Sequence, residues 1–79
     1  MNMKTRIELE QGARERIMQV IDQREFSKID SALITEIEDE LNISISLSDI
    51  ESAKGMDEFI EMIVDIYIVV IEAIINLTN

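Results

Sequence analysis

The stretch MDEFIEMIVDIYIVVIEAIINL, residues 56–77, decides the architecture of this chain. Sixteen of its 22 residues are apolar and none is basic. Placed at about 100° per residue, its six polar positions, Asp57, Glu58, Glu61, Asp65, Glu72 and Asn76, fall within an arc of roughly 100°. Such a pattern specifies a long helix with a narrow wet stripe. A helix apolar over roughly 260° of its circumference needs neighbours on about three sides.

A membrane is one conceivable cover. The longest uncharged run, Ile66–Ile71, is bracketed by Asp65 and Glu72, whereas a span needs roughly 18–20 apolar residues in sequence. The segment therefore reads as a buried helix of a water-soluble protein. Met1–Glu10 contains no apolar core of the kind a secretory signal needs, and a cytoplasmic location is expected.

Seventy-nine residues make a single domain, 1–79, with a marginal core unless a staple or partner adds buried area. There is no Cys and no His. Disulfides, thiolate or imidazole metal sites and His-dependent triads are excluded by composition. The carboxylates offer no calcium-loop spacing around a glycine and no acid–base pair facing a cleft, so neither a metal site nor catalytic residues are expected. The protein reads as a non-enzyme.

Charge is unevenly spread. Residues 1–28 hold six basic and five acidic groups, whereas residues 29–79 hold Lys54 alone against twelve acidic groups. A net charge of −10 disfavours nucleic acid and anionic lipid and favours basic protein partners.

With no Pro and only two Gly, the chain reads as long helices joined by few turns. Ile7, Ala13, Ile17, Met18, Val20 and Ile21 share a face of a first helix over roughly residues 4–24. Phe26 falls on its opposite side, so the chain either bends between Asp22 and Phe26 or changes packing partner there. Phe26, Ile29, Leu33, Ile34, Ile37 and Leu41 line a second helix, and Ser27 followed by Asp30 resembles a capping box that starts it at 27 or 28. It is expected to end near Leu41.

Asn42–Asp49 alternates apolar and polar residues, the signature of a strand. With no partner strand in the chain, it is expected to be an extended linker whose Ile43, Ile45 and Leu47 plug the core, or half of a two-chain ribbon in a dimer. Ser48 with Glu51 has capping-box spacing, which implies a helical turn over Asp49–Lys54 before Gly55. The five methionines, at 1, 3, 18, 56 and 62, read as ordinary gap-fillers.

The stretch from Ser27 to about Val64 resembles the acyl carrier proteins. A serine opens a helix, an acidic patch ends in Glu38-Asp39-Glu40-Leu41, Asn42-Ile43-Ser44-Ile45 follows, and a short acidic turn leads into an apolar helix. The resemblance implies phosphopantetheine on Ser27, with the acidic second helix docking basic enzymes. Phe26 and Lys28 stand where the family's signature has Asp and Leu, and the long loop before the serine is missing. Taking Asp30-Ser31 as the signature restores the Asp but leaves the following helix one turn short.

The expected fold is all-α, three main helices plus a short turn, completed by dimerisation. Residues 59–75 form the expected interface, with Phe59, Ile60, Ile63, Ile66, Tyr67, Val70, Ile71 and Ile74 facing the second subunit. Asp65 and Glu72 either face water or sit inside the oligomer and meet Arg14, Arg16 or Arg24 of a first helix. The function expected is that of a small acidic interaction protein, an inhibitor, adaptor or chaperone-like binder, holding a basic or hydrophobic protein through Glu36, Glu38, Asp39 and Glu40. No cofactor is expected on that reading. The alternative is a carrier with phosphopantetheine on Ser27.

Overall fold

The structure, a computed structural model, describes residues 2–78; Met1 and Asn79, and with Met1 one of the five methionines, lie outside the described residues. Asn2 opens the first helix, its side-chain oxygen accepting from the Thr5 amide at 2.8 Å, which satisfies one of the amides left free at a helix start. α1 spans Met3–Ile21 and buries Ala13, Ile17 and Ile21. It ends three residues earlier than its apolar periodicity suggests. Asp22 adopts φ 56° and donates its amide to the Met18 carbonyl at 2.8 Å, a left-turning corner that closes the last turn.

Beyond the corner the chain bends, and Phe26–Lys28 forms a single 3₁₀ turn. The bend swings the Phe26 ring toward Phe59, with ring centroids 6.3 Å apart and planes tilted by 60°, a favourable edge-to-face class of contact. Ser27 is therefore not the cap of the second helix. The cap is Asp30, whose carboxylate accepts from the Leu33 amide at 2.9 Å, and α2 spans Ser31–Leu41. Asn42 stops it in the left-handed region at φ 55°, a conformation that asparagine tolerates better than most residues.

The alternating segment that follows is extended and unpaired, and no strand occurs among the described residues. Ile43 is buried in the core, Ile45 packs against it, and Leu47 is exposed. Of the two expectations for this segment, the core-plugging linker is the one found for two of its three apolar side chains. α3 spans Leu47–Glu51, two residues earlier than its predicted position, because Ser46 rather than Ser48 provides the cap: its hydroxyl faces the Asp49 amide at 3.3 Å. α4 spans Met56–Thr78, as the opening stretch requires.

α1 and α4 run antiparallel. Arg14 Nε donates to Glu61 at 2.9 Å, and Arg6 lies 3.4 Å from Glu72, so rising numbers on one helix meet falling numbers on the other. α2 packs on α1 and α3 on α4. The core runs from Ala13, Ile17 and Ile21 through Leu33, Ile37, Leu41 and Ile43 to Phe59, Ile60, Ile63, Val64 and Ile68, and no polar side chain is buried among the described residues. Each fully buried apolar side chain contributes about 1.5–3 kcal/mol. The fold is an all-α bundle, 40 × 21 × 20 Å, and none of its described helices is long and apolar enough to cross a membrane.

The expected dimer surface needs correction. Phe59, Ile60 and Ile63 are sealed inside the chain's own core, because α1, α2 and the linker residue Ile43 together supply the cover a second subunit was expected to provide. Ile66, Tyr67, Val70 and Ile71 are half-buried and Ile74 is exposed.

Candidate functional site: an acidic side and two grooves flanking the short helix

The four carboxylates predicted to form a docking face have divided duties. Glu38 is half-buried and reaches past the end of α2 to accept from the Ile45 amide at 2.8 Å. Its carboxylate thus fastens the extended linker, which has no sheet to satisfy its amides. Glu40 pairs with Arg16 of α1 at 3.3 Å, and its carbonyl also accepts from the Arg16 guanidinium. Glu36 and Asp39, three apart on the exposed side of α2, make no ion pair among the described residues. Only those two are free to meet an outside charge.

The same division holds across the molecule. Every ion pair among the described residues uses an arginine of α1: Arg6 with Glu10 and Glu72, Arg14 with Glu61, Arg16 with Glu40. Asp65, exposed on α4, is not among them, while Glu72 meets Arg6 within the chain. The arginines of α1 are thereby spent on holding the bundle together. On α2, α3 and α4, besides Glu36 and Asp39, the exposed carboxylates Asp49, Glu51, Asp57 and Asp65 make no ion pair among the described residues; on α1 and the bend after it Glu8, Glu15, Asp22 and Glu25 make none either, nor do Lys4, Arg24, Lys28 and Lys54. Glu58 is satisfied locally by the Lys54 amide at 2.9 Å.

Two grooves flank α3. One, about 200 Å³, is lined by Phe26, Ile29 and Ile34 on one wall, Leu47, Ile50 and Glu51 of α3 on the other, with Phe59 at its floor. It is apolar with one carboxylate at its rim. The other, about 300 Å³, lies between α3 and α4 and is lined by Ser48, Asp49, Ser52, Met62, Asp65 and Ile66. It is amphipathic, with two carboxylates and two hydroxyls set against a thioether and an isoleucine. Sequence reasoning missed both, because each exists only where α3 folds back across α4. The one signal was a serine cap before a short acidic helix, Ser46 ahead of Leu47–Glu51, which marks a turn but not the element it lands on.

Ser27 is exposed on the 3₁₀ turn, next to Phe26 of the apolar groove. Ser31 is the first residue of α2, also exposed, directly after the capping Asp30. The Asp30 carboxylate beside Ser31 is engaged in capping the Leu33 amide at 2.9 Å. Among the described residues no group of three or more Asp or Glu is placed to hold a metal ion.

What the arrangement can do is bind. Free carboxylates beside shallow apolar and amphipathic grooves suit a cationic segment with apolar side chains, since long basic side chains can lay their stems on apolar surface while their heads meet carboxylates. No family model, no curated protein and no solved structure matches this chain.

Proposed function

We propose that this protein is a non-enzymatic interaction module that holds a basic, partly apolar protein segment on the side formed by α2 and α3. One observation carries the reading: six exposed carboxylates on α2, α3 and α4 have no cationic partner among the described residues, while the three arginines of α1 are paired within the fold and Lys54 is the one basic residue after Lys28. An exposed field of one sign raises the encounter rate with the opposite sign and rejects like-charged competitors. The groove lined by Phe26, Leu47 and Ile50 gives such a partner somewhere to anchor an apolar side chain.

The test is a paired capture from the native host, using the wild-type chain and a variant carrying Glu36→Lys and Asp39→Lys. Basic proteins retained by the wild type and lost by the variant support the reading. Captured proteins that are acidic, or indifferent to both the charge reversal and Leu47→Glu, remove it.

A second reading is favoured by the position of Ser27, exposed beside the apolar groove. On it the chain is a carrier, with phosphopantetheine on Ser27 and the groove receiving the attached chain; Ser31, at the helix start behind Asp30, is the competing position. Intact mass after incubation with a phosphopantetheinyl transferase and coenzyme A separates the readings. A gain of one prosthetic group, lost in Ser27→Ala or in Ser31→Ala, establishes the carrier and names its serine. An unchanged mass removes it.

A further inference from the structure

Among the described residues none before Ala13 or after Ile68 is buried. Beyond those points α1 and α4 continue as an antiparallel arm, Met3–Gly12 beside Val69–Thr78, about 15 Å long at 1.5 Å per residue. The arm has two layers and no third. Leu77, Met3 and Val69 are 87, 76 and 65 % exposed, Ile7 and Ile74 are also exposed, and Val70, Ile71 and Ile75 are only half-covered.

Intrinsic propensity does not hold this end of α4 together. Val69, Val70, Ile71, Ile74 and Ile75 are β-branched, stiff at χ1 and indifferent as helix formers. A terminal segment of that composition is helical because something packs on it. α1 supplies one side.

Charge indicates what supplies the other. Residues 2–12 with 69–78 carry Lys4 and Arg6 against Glu8, Glu10 and Glu72, a net of −1, so residues 13–68 carry −9 of the chain's −10. Arg6 also lies across the arm, 3.1 Å from Glu10 and 3.4 Å from Glu72, and so draws two of its three carboxylates inward. The acid is concentrated in residues 29–68, which carry Lys54 against eleven carboxylates, so a self-contact through α2, α3 or the first half of α4 meets strong like-charge repulsion, and a basic partner finds little to attract it at the arm. The arm joins low net charge to five of the eight large apolar side chains exposed among the described residues, Met3, Ile7, Val69, Ile74 and Leu77, and is the surface best suited to meet its own copy.

We propose that the arm is a homodimerisation surface and that its occupant is the arm of a second copy. The two arms pack face to face about a two-fold axis, so that two pairs of helices form a four-helix layer and each pair becomes the missing third side of the other. The proposal is independent of the basic-partner reading, which uses the opposite end of the molecule.

Sedimentation equilibrium of the full chain tests it. The wild type is expected at twice its 9.1 kDa chain mass at high micromolar concentration, with association tightening as added salt screens the residual repulsion. Val69→Glu with Ile74→Glu is expected to keep the monomer's helicity by circular dichroism and to weaken association about a hundredfold or more, since each charge must be desolvated at the interface. Leu47→Glu, an exposed apolar site outside the arm, is expected to leave association unchanged. Should the double variant lose helicity, Leu77→Glu carries the test by the same criterion. A wild type that stays monomeric, a dimer indifferent to the arm substitutions, or a dimer broken by Leu47→Glu overturns the proposal. So does a monomer that floats with neutral phosphatidylcholine vesicles, which would make a bilayer the occupant.

Discussion

The two halves of α4 are about equally rich in apolar residues and opposite in circumstance. Residues 56–68 include Phe59, Ile60, Ile63, Val64 and Ile68, all in the core, whereas residues 69–78 include no buried side chain. Hydrophobicity does not separate them. Val69, Ile71 and Ile74 are as apolar as Ile60, Ile63 and Val64, and both halves lie along α1. The difference is made by elements remote in sequence: α2, the linker and α3 gather around the first half and stop short of the second. What buries a helix is therefore the placement of its third neighbour, which no window of α4 contains.

Four expectations sharpen that contrast and a fifth could break it. Phe59→Ala removes the largest fully buried side chain and the ring that meets Phe26. It should cost about 3–5 kcal/mol, enough to unfold much of a small domain whose total stability is about 5–15 kcal/mol, as a urea titration followed by circular dichroism would show. Ile43→Ala takes a single side chain from the linker that covers the core, and a loss of about 2 kcal/mol is expected in the same titration.

Glu38→Ala leaves the half-buried Ile45 amide without its acceptor and should cost about 1–2 kcal/mol. Glu38→Gln, which keeps a carbonyl oxygen in place, is expected to recover most of the loss. Asp30→Ala deletes the α2 cap at about 1 kcal/mol, while Ser27→Ala at the position first read as the cap should change the midpoint little. Equal effects at the two positions would mean that α2 begins elsewhere. Val69→Ala, measured at concentrations low enough to keep the chain monomeric, should shift stability by no more than about 0.5 kcal/mol. A loss there rivalling that of Ile43→Ala would show that the second half of α4 has cover of its own and would end the contrast.

The same difference explains which parts of the molecule could be read from sequence. Local signals located α1, α4 and the end of α2 near Leu41, since each follows from where the apolar periodicity runs and where it stops. The start of α2 was not legible. Ser27 and Asp30 are both good caps, and the choice between them follows from the packing of Phe26 on Phe59, a contact made across more than thirty positions of chain. The need for a third wall around α4 was legible, and its identity was not, because Ile43 and α2 reach it only through the bends at Asp22 and Asn42.

The candidate site shows the division again. The excess of acid in the second half of the chain was visible at once. That Glu38 fastens the linker and Glu40 holds α1, leaving Glu36 and Asp39 for outside contacts, depends on where Ile45 and Arg16 arrive in space.

The contact between Arg6 and Glu72 closes nearly the whole chain into one loop, whereas α1 reaches α2 across a short connection. Loop-closure entropy and contact order make local pairings form early and the most distant ones late. Folding should accordingly begin around the corner between α1 and α2 and finish at the paired ends of α1 and α4. In the native state those ends should be the first to open, with their amides exchanging hydrogen long before those of Ile17 or Ile63. The arm then has a time as well as a place: it is completed last, after the rest of the bundle has brought its two strands of helix together.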